Sequence, residues 1–152
     1  MSLSHLLYVS RAAADFTDVE LRELSLQCAR RNHACAVTGL LIYSAGWFVQ
    51  LLEGRETTLE ALFKRISSDA RHTEVQVLLR EPVASRLFPR WSMGILNLDV
   101  DGTTLDRERL HALLKVGAQD SNTGAHAIAL LREFRRQLPA APSPQATAQI
   151  GE

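Results

Sequence analysis

The fold is decided by residues 37–53, which read VTGLLIYSAGWFVQLLE. This stretch holds two apolar runs, 37–43 and 47–53, joined by Ser44-Ala45-Gly46. Each run is apolar on both of its alternating faces, which is typical of a strand that is covered on both sides. A short connection that ends in glycine favours a tight turn. The stretch therefore predicts a hairpin of two central strands.

A strand and a helix precede the hairpin. Residues 5–10 are apolar and rich in strand formers, which predicts a first strand. Thr17 and Glu20 have the spacing of a capping box, in which each side chain satisfies a free backbone donor at a helix start. The apolar stripe that follows predicts a helix that continues to about Asn32.

A second helix and two more strands follow the hairpin. Thr57 and Glu60 form a second candidate capping box ahead of an apolar helical stripe. Residues 75–82 alternate as a strand that Pro82 closes, and residues 91–96 predict the last strand before a polar turn at 99–104. The order β-α-β-β-α-β-β predicts an α+β, ferredoxin-like sheet with both helices on one face.

The chain has 152 residues, which fits one domain with appendages. We expect the sheet domain to occupy residues 1–98 and a helical extension to occupy residues 99–138. Helices are predicted at about 105–116 and 123–138, where leucine and isoleucine recur at helical spacing. Residues 139–152 are rich in proline, alanine, serine and glutamine, which predicts a disordered tail.

Composition argues against several classes of protein. The chain carries 17 Lys+Arg and 17 Asp+Glu, so its formal net charge is zero and gives no electrostatic footprint for nucleic acid or an anionic membrane. Its apolar runs are too short to span a bilayer, and residues 1–16 do not have the pattern of a signal peptide. Cys28 and Cys35 favour neither a disulfide framework nor a zinc site. We therefore expect a cytoplasmic protein with reduced thiols.

Generic catalytic motifs are missing from the sequence. It has no glycine-rich phosphate loop, no nucleophile elbow and no His-Glu-x-x-His motif. The histidines have no metal-ligand spacing, so we expect surface or structural roles for four of the five: His5, His33, His111 and His126. The sequence therefore gives little support to hydrolytic or metal chemistry.

Two polar side chains stand on strands that are expected to be buried. Gln50 lies in the second central strand, and a buried amide without partners costs about 1–3 kcal/mol. It is therefore either a structural residue paired with its neighbours or part of a binding site. Tyr8 on the first strand is either a core tyrosine with a satisfied hydroxyl or a redox-active phenol.

Three further residues are ambiguous when each is taken alone. Asn32, near the end of the first helix, suits a helix C-terminus as well as a site. Trp91 and Met93 alternate on the predicted last strand, where such residues are more often core than site.

The order and spacing of these residues resemble the BLUF domain, the family of flavin-based blue-light sensors. The resemblance covers about residues 4–96 and is carried by six motifs in register: YVSRA at 8–12, RN at 31–32, VTGLLIY at 37–43, FVQLLEG at 48–54, IxxDxRH at 66–72 and FPxWSM at 88–93. The βαββαββ order is also the fold of that family. The resemblance therefore implies a short, single-domain BLUF photoreceptor followed by two helices.

The resemblance implies a noncovalently bound flavin, FAD or else FMN or riboflavin, with its ring between the two helices on the sheet. Carried over residue by residue, Asn32 meets the polar edge of the ring, Gln50 links Tyr8 to the ring, and Arg71 reaches the opposite carbonyl. Further pocket members implied are Arg65, Asp69 and His72. Arg31 and His33 flank Asn32 where the family often has a second Asn, which makes the pocket unusual there.

The implied activity is sensing rather than enzymatic turnover. Light would drive electron and proton transfer between Tyr8 and the flavin, and rearrangement of the Gln50 amide would give a reversible, red-shifted state. Trp91 or Met93 would relay that change through the last strand to the C-terminal helices. A homo-oligomer and a downstream signalling protein are expected, with no nucleic acid and no membrane partner.

Three other classes are weighed against this one. A flavin-free ferredoxin-like scaffold for interaction or oligomerisation is the main alternative, although it has no need for Tyr8, Asn32, Gln50 and Arg71 together. A nucleic-acid module on the same fold needs exposed aromatic and basic residues on the open sheet face. A small flavoenzyme needs a pocket acid or base for an organic substrate, and none is identifiable.

Overall fold

The structure is a computed structural model that describes residues 3–116 and 122–135. Its strands and helices are β1 (Leu3–Ala12), α1 (Asp18–Ala34), β2 (Thr38–Ser44), β3 (Trp47–Arg55), α2 (Glu56–Ser67), β4 (His72–Pro82), β5 (Gly94–Asn97), α3 (Leu98–Asp101), α4 (Thr104–Val116) and α5 (Thr123–Arg135). The predicted βαββαββ order and the α+β class are confirmed. The predicted tail at 139–152 lies outside the described residues.

One five-stranded sheet organises the molecule, with the strand order β4-β1-β3-β2-β5. The strands pair antiparallel except at β2 and β5, which run parallel. The hairpin predicted from residues 37–53 is the β2–β3 pair, which lies at the centre of the sheet. Because Tyr8 on β1 pairs directly with Gln50 on β3, their side chains share one face of the sheet.

Both faces of the sheet are covered, and each has its own core. On one face α1 and α2 pack over Tyr8, Leu41 and Leu52. On the other face α4 and α5 pack over the alternate residues, including Leu51. The predicted placement of the first two helices on one face is confirmed. The C-terminal helices bury the opposite face, so they complete the core of the sheet domain.

The turn of the central hairpin is held by hydrogen bonds to the segment that follows β5. Ala45 and Gly46 both have positive φ, 47° and 83°, which matches the twist of a two-residue hairpin turn. Both carboxylate oxygens of Asp99 accept the backbone N–H of Ala45, at 3.1 and 3.0 Å. The start of the C-terminal helices is therefore tied to the β2–β3 turn.

Three local predictions are wrong. α2 begins at Glu56 directly after β3, so Thr57 lies inside the first turn and the predicted capping box does not form. The last strand is Gly94–Asn97 rather than residues 91–96, and the polar turn predicted at 99–104 contains a short helix that Asn97 caps.

The capping box of Thr17 and Glu20 is confirmed, and both of its hydrogen bonds are present.

Glu53 anchors the connection between β4 and β5. Its carboxylate is fully buried and accepts the backbone N–H groups of Leu87 at 2.5 Å and Phe88 at 2.9 Å. The Thr38 hydroxyl donates to it at 3.0 Å, and a His5 ring nitrogen lies at 2.7 Å. Burial alone would raise the pKa of Glu53, but the hydrogen bonds from His5 and the loop outweigh it and hold the pKa below its usual value. Glu53 therefore fixes the start of the segment that leads to Met93.

None of the described helices is long and apolar enough to cross a membrane.

Candidate functional site

A cleft opens between α1, α2 and the sheet face that carries Tyr8 and Gln50. It is a partly open space of about 420 Å³, measured together with the solvent at its mouth. Its walls combine apolar side chains with polar and charged ones: Tyr8, Leu24, Cys28, Arg31, Leu41, Phe48, Gln50, Ile66, Asp69, Arg71 and His72. We call this the ring cleft.

A buried chain of contacts runs across the floor of the ring cleft. The Tyr8 hydroxyl donates a hydrogen bond to Gln50 Oε1. The other end of the same amide, Nε2, donates to the Met93 sulfur at 3.4 Å. All three side chains are buried, with at most 3% of their surface exposed. Gln50 thus links the phenol to the segment before β5.

Aromatic neighbours determine the packing of the Tyr8 ring, and burial affects the protonation of its hydroxyl. Its ring meets Phe63 edge-on at 5.5 Å between centroids and His72 at 6.3 Å. Burial, reinforced by the nearby Cys28 thiol, raises the pKa of Tyr8 far above its ordinary value. The raised pKa favours the protonated, neutral phenol.

The turn after α2 carries an ion pair at the mouth of the cleft. Arg71 Nε lies 3.0 Å from both oxygens of Asp69, and Nη2 lies 2.5 Å from Asp69 Oδ2. This guanidinium holds the pKa of Asp69 at about 2. Arg71 Nη1 also donates to Gln27 on α1 at 3.2 Å. The turn is therefore connected across the cleft to the facing helix.

His72 lies deeper, at the first residue of β4. Its Nδ1 is 2.9 Å from the Ser10 hydroxyl, and its Nε2 is 2.5 Å from the backbone carbonyl oxygen of Ile66. Both ring nitrogens are thus engaged by protein groups. The imidazole joins β1 to the end of α2 while its ring lines the cleft.

Asn32 is fully buried and has one unsatisfied end. Its Nδ2 donates to the backbone carbonyl of Ser92 at 2.8 Å, while its Oδ1 is buried without a hydrogen-bond partner. The segment between β4 and β5 is also held to α1 at a second point, because the Ser25 hydroxyl donates to the backbone carbonyl of Met93 at 3.2 Å. Asn32 therefore offers one buried acceptor and orients the segment that carries Met93.

The structure brings most of the predicted site residues to one cleft. Tyr8, Gln50, Asp69, Arg71 and His72 all line it, and Asn32 lies one helical turn beyond Cys28.

The other three predicted residues are not part of the cleft lining. Arg65 lines a neighbouring cleft. Trp91 packs into the core on the α4–α5 face, whereas Met93 packs into the core on the α1–α2 face.

Cys28 and Arg31 are two residues of the ring cleft to which the sequence interpretation gave no pocket role. Cys28 was expected to be an ordinary thiol on the apolar stripe of α1, yet it is buried in the cleft wall beside Tyr8. Cys28 and Arg31 follow Leu24, which also lines the cleft, by four and seven residues, so the three lie on one side of α1. That helical spacing was the signal available in the sequence.

The residues present suit a flat heterocycle with polar edges. Leu24, Leu41, Phe48 and Ile66 provide apolar walls, while the Gln50 amide offers polar groups on the floor and the Arg71 guanidinium offers donors at the mouth. The unpaired Asn32 oxygen suits an N–H donor such as the imide of a flavin, because an unsatisfied buried acceptor costs about 1–3 kcal/mol. The donor set therefore fits an isoalloxazine ring.

Comparison with known proteins agrees with this chemistry. A family model described as sensors of blue-light using FAD matches residues 3–94. The chain belongs to the BLUF family. Photoactivated adenylate cyclase subunit beta of Euglena longa is 33% identical over 93 residues, which are 60% of this BLUF chain and 11% of that protein. The blue light- and temperature-regulated antirepressor BluF of Escherichia coli (strain K12) is 31% identical over 96 residues, 63% of this chain and 24% of that protein.

This BLUF chain thus spans a small part of the length of those curated relatives. Among solved structures, the dark state of the BLUF protein BlrB superposes with a TM-score of 0.68 and 29% identity, covering 86% of this chain and 96% of that chain. Klebsiella pneumoniae BlrP1 with FMN and cyclic diGMP superposes with a TM-score of 0.65 and 32% identity, covering 90% and 37%. The sheet and C-terminal helices therefore have the BLUF fold.

Proposed function

We propose that this chain is a blue-light sensor that binds a flavin noncovalently in the ring cleft and acts by switching hydrogen bonds rather than by turning over a substrate. The observation that supports this most directly is the buried chain from Tyr8 through Gln50 to Met93. FAD is the cofactor of the family description, and FMN or riboflavin offers the same ring. Asn32, Gln50 and Arg71 would hold the polar edge of that ring.

The Tyr8 phenol is the electron donor in this proposal. A bound flavin absorbs blue light and becomes a strong oxidant in its excited state. The flavin would accept one electron from Tyr8, and the Tyr8 proton, made strongly acidic by that loss, would follow along the existing hydrogen bond to Gln50 Oε1 and through the amide to the same acceptor. Because the pKa of Tyr8 is raised by burial, the hydroxyl holds its proton until that moment. Return of the electron and the proton restores the dark state without net chemistry.

Rearrangement of the Gln50 amide carries the signal out of the cleft. The amide has both a donor and an acceptor, so its reorientation exchanges its bond with Tyr8 and releases the Met93 sulfur. Met93 shares one short segment with Trp91, which packs in the opposite core with α4 and α5. A movement of this segment would therefore reach the C-terminal helices and alter self-association or the binding of a downstream protein.

The test is the visible absorption of the purified protein in darkness and directly after blue light, for the wild type and for Tyr8→Phe. The wild type should show a flavin spectrum that shifts slightly to the red and relaxes in darkness. Tyr8→Phe should bind flavin but lose the shift, because it removes only the hydroxyl. Phe63→Leu serves as a control for altered ring packing beside Tyr8 and should keep the shift.

Two outcomes would overturn the proposal. A colourless protein that takes up no added flavin would favour the flavin-free scaffold. A full red shift in Tyr8→Phe would show that the phenol is not the donor.

A further inference from the structure

Three exposed apolar side chains lie on segments that meet at one corner of the molecule. Val19, Val100 and Leu105 are 63, 64 and 61% exposed, and they are the most exposed large apolar residues in the part of the chain that the structure describes. Val19 lies in the first turn of α1, Val100 in α3 and Leu105 in the first turn of α4. We call these three residues the apolar corner. Single exposed apolar residues need no explanation, whereas a group of them on adjoining segments indicates an interaction surface.

Hydrogen bonds join the segments that carry the apolar corner. Asn97, at the end of β5, donates through Nδ2 to Asp18 Oδ1 on α1 at 3.3 Å. Arg107 Nη1 on α4 donates to the backbone carbonyls of Leu98 at 3.0 Å and Gly102 at 2.8 Å, which lie at the two ends of α3. The starts of α1 and α4 therefore adjoin α3.

The sequence around the apolar corner is strongly acidic. Residues 15–23 and 99–107 together hold seven carboxylates and two guanidinium groups, whereas the whole chain carries equal numbers of acidic and basic side chains. Both cations are engaged locally, because Arg22 pairs with Asp18 at 2.8 Å and Arg107 binds the carbonyls at the ends of α3. The corner therefore has a negative potential, although the chain as a whole is neutral.

Helix capping accounts for only part of this charge. The carboxylates of Glu20 and Asp106 accept backbone N–H groups at the starts of α1 and α4. By contrast, Glu23 lies beyond the first turn of α1, and Asp101 is the last residue of α3, where a helix dipole does not favour a negative charge. Both of these side chains are exposed, so they can meet cations of a partner.

The apolar corner lies at the ends of the two elements that hold Met93. β5 follows Met93 directly and ends at Asn97, while α1 donates hydrogen bonds to the backbone carbonyls of Ser92 and Met93. A movement of Met93 would therefore displace β5 relative to α1 and change the spacing between Val19 and Val100.

We propose that the apolar corner is the docking surface for a downstream protein and that it binds a basic amphipathic segment, whose apolar face covers Val19, Val100 and Leu105. This inference rests on the proposed function, because light is what would alter the surface. Charge selects the occupant. A second copy of the corner, a nucleic acid or an anionic membrane would each bring negative charge against negative charge, whereas a basic segment brings cations to the carboxylates around the corner.

The experiment measures, by fluorescence anisotropy, the binding of a labelled helical peptide of leucine and lysine to the flavin-loaded protein. The double variant Val100→Ser, Leu105→Ser should bind it about tenfold more weakly, because two apolar contacts are lost. Ala129→Ser changes an exposed apolar residue of α5 and should leave the affinity unchanged. Asp101→Asn should weaken binding about two- to fivefold, whereas Glu81→Gln, which neutralises an exposed carboxylate of β4, should not.

Two further peptides and illumination test the remaining parts of the inference. A peptide with glutamate in place of lysine tests the charge, and one with serine in place of leucine tests the apolar face. Each should bind about tenfold or more weakly than the leucine–lysine peptide. Blue light should change the affinity for the leucine–lysine peptide about fivefold, as a change of one hydrogen bond would give.

Several outcomes would overturn the inference. Equal binding of the lysine and glutamate peptides would do so, and so would an unchanged affinity in the double variant. An affinity that is the same in darkness and in light, with the red shift present, would overturn it while leaving the proposed function intact. Self-association in sedimentation velocity that the double variant abolishes would assign the corner to a second copy instead. Absence of the red shift in the wild type would overturn the proposed function itself.

Discussion

At the residue scale, the site depends on one amide with two ends. Gln50 accepts from Tyr8 on one side and donates to the Met93 sulfur on the other. A thioether is a weak acceptor, so the bond to Met93 is the easier of the two to give up. In the proposed mechanism, one end of this side chain would make the photochemical contact and the other end would make the output contact.

We expect Met93→Ala to uncouple these two contacts. The red shift should remain, because Tyr8 and Gln50 still meet, while any light-dependent change at α4 and α5 should fall at least several-fold. Absorption spectra and light-minus-dark hydrogen exchange measure the two effects on the same sample. Ile95→Ala is the matched control, since Ile95 packs against the same core as Met93. A full light response of the helices in Met93→Ala would rule out this route.

At the element scale, the β4–β5 connection is held at both ends by buried polar groups. Glu53 accepts the N–H groups of Leu87 and Phe88 near its start, and Asn32 donates to Ser92 near its end. This explains why residues 91–93 do not extend β5. Their backbone oxygens bond to α1 and to the start of β2 instead, as the bond from Gly39 N–H to Trp91 illustrates.

Replacing Glu53 should destabilise the whole fold. Glu53→Ala leaves two loop N–H groups and His5 without their buried acceptor, so we expect a loss of about 3–5 kcal/mol in the free energy of unfolding. Urea denaturation of the flavin-loaded protein measures it. Glu60→Ala removes an exposed carboxylate of α2 and should cost no more than about 0.5 kcal/mol. A similarly small loss for Glu53→Ala would contradict the anchoring role.

The elements that sequence predicts best here are those with a strong period or a complete local signature. The hairpin at 37–53 has a strong period and a turn signature, and it is present. The capping box at Thr17 is a complete local signature, and it is present as well. The box at Thr57 fails because β3 continues to pair up to Arg55 and delivers the chain directly into α2. That start depends on tertiary pairing, which a local motif does not contain.

The same limit applies to the site. Residues carried by family motifs, such as Tyr8 and Gln50, were predicted to share a site because of the resemblance to the BLUF domain, and the structure brings them into contact. The positions of Arg65 and Trp91 depend on which way an exposed helix turn and an irregular segment face. Those directions follow from long-range hydrogen bonds that the linear sequence does not display.

At the scale of the whole molecule, the sheet separates the face that carries the ring cleft from the face covered by α4 and α5. α5 closes this second face by packing its first turn directly on β4. A Cβ atom added at Gly124 would lie 2.6 Å from the carbonyl oxygen of Leu78 and 2.9 Å from Leu79 Cβ. Only glycine, which has no Cβ atom, allows this close approach, so Gly124 determines how closely α5 packs on β4.

Gly124→Ala should therefore weaken the packing of α5 on β4 without disturbing the ring cleft. We expect faster hydrogen exchange in α5 and a loss of about 1–3 kcal/mol in stability, as overpacking typically costs. The red shift should be retained. Ala125→Ser changes the adjacent exposed residue and should alter neither property. Unchanged exchange in Gly124→Ala would show that the helix is not seated by this contact.

The strand order also bears on how the molecule is made. Only the β2–β3 hairpin joins neighbours in sequence, whereas β1 must wait for β3 and β4, and β2 must wait for β5. Such distant pairings slow folding, because long loops close before the contacts that stabilise them form. During synthesis, the first strand and α1 leave the ribosome well before their partners exist. We therefore expect the cleft to form late in folding, so that a flavin would bind a nearly complete fold rather than guide its early steps.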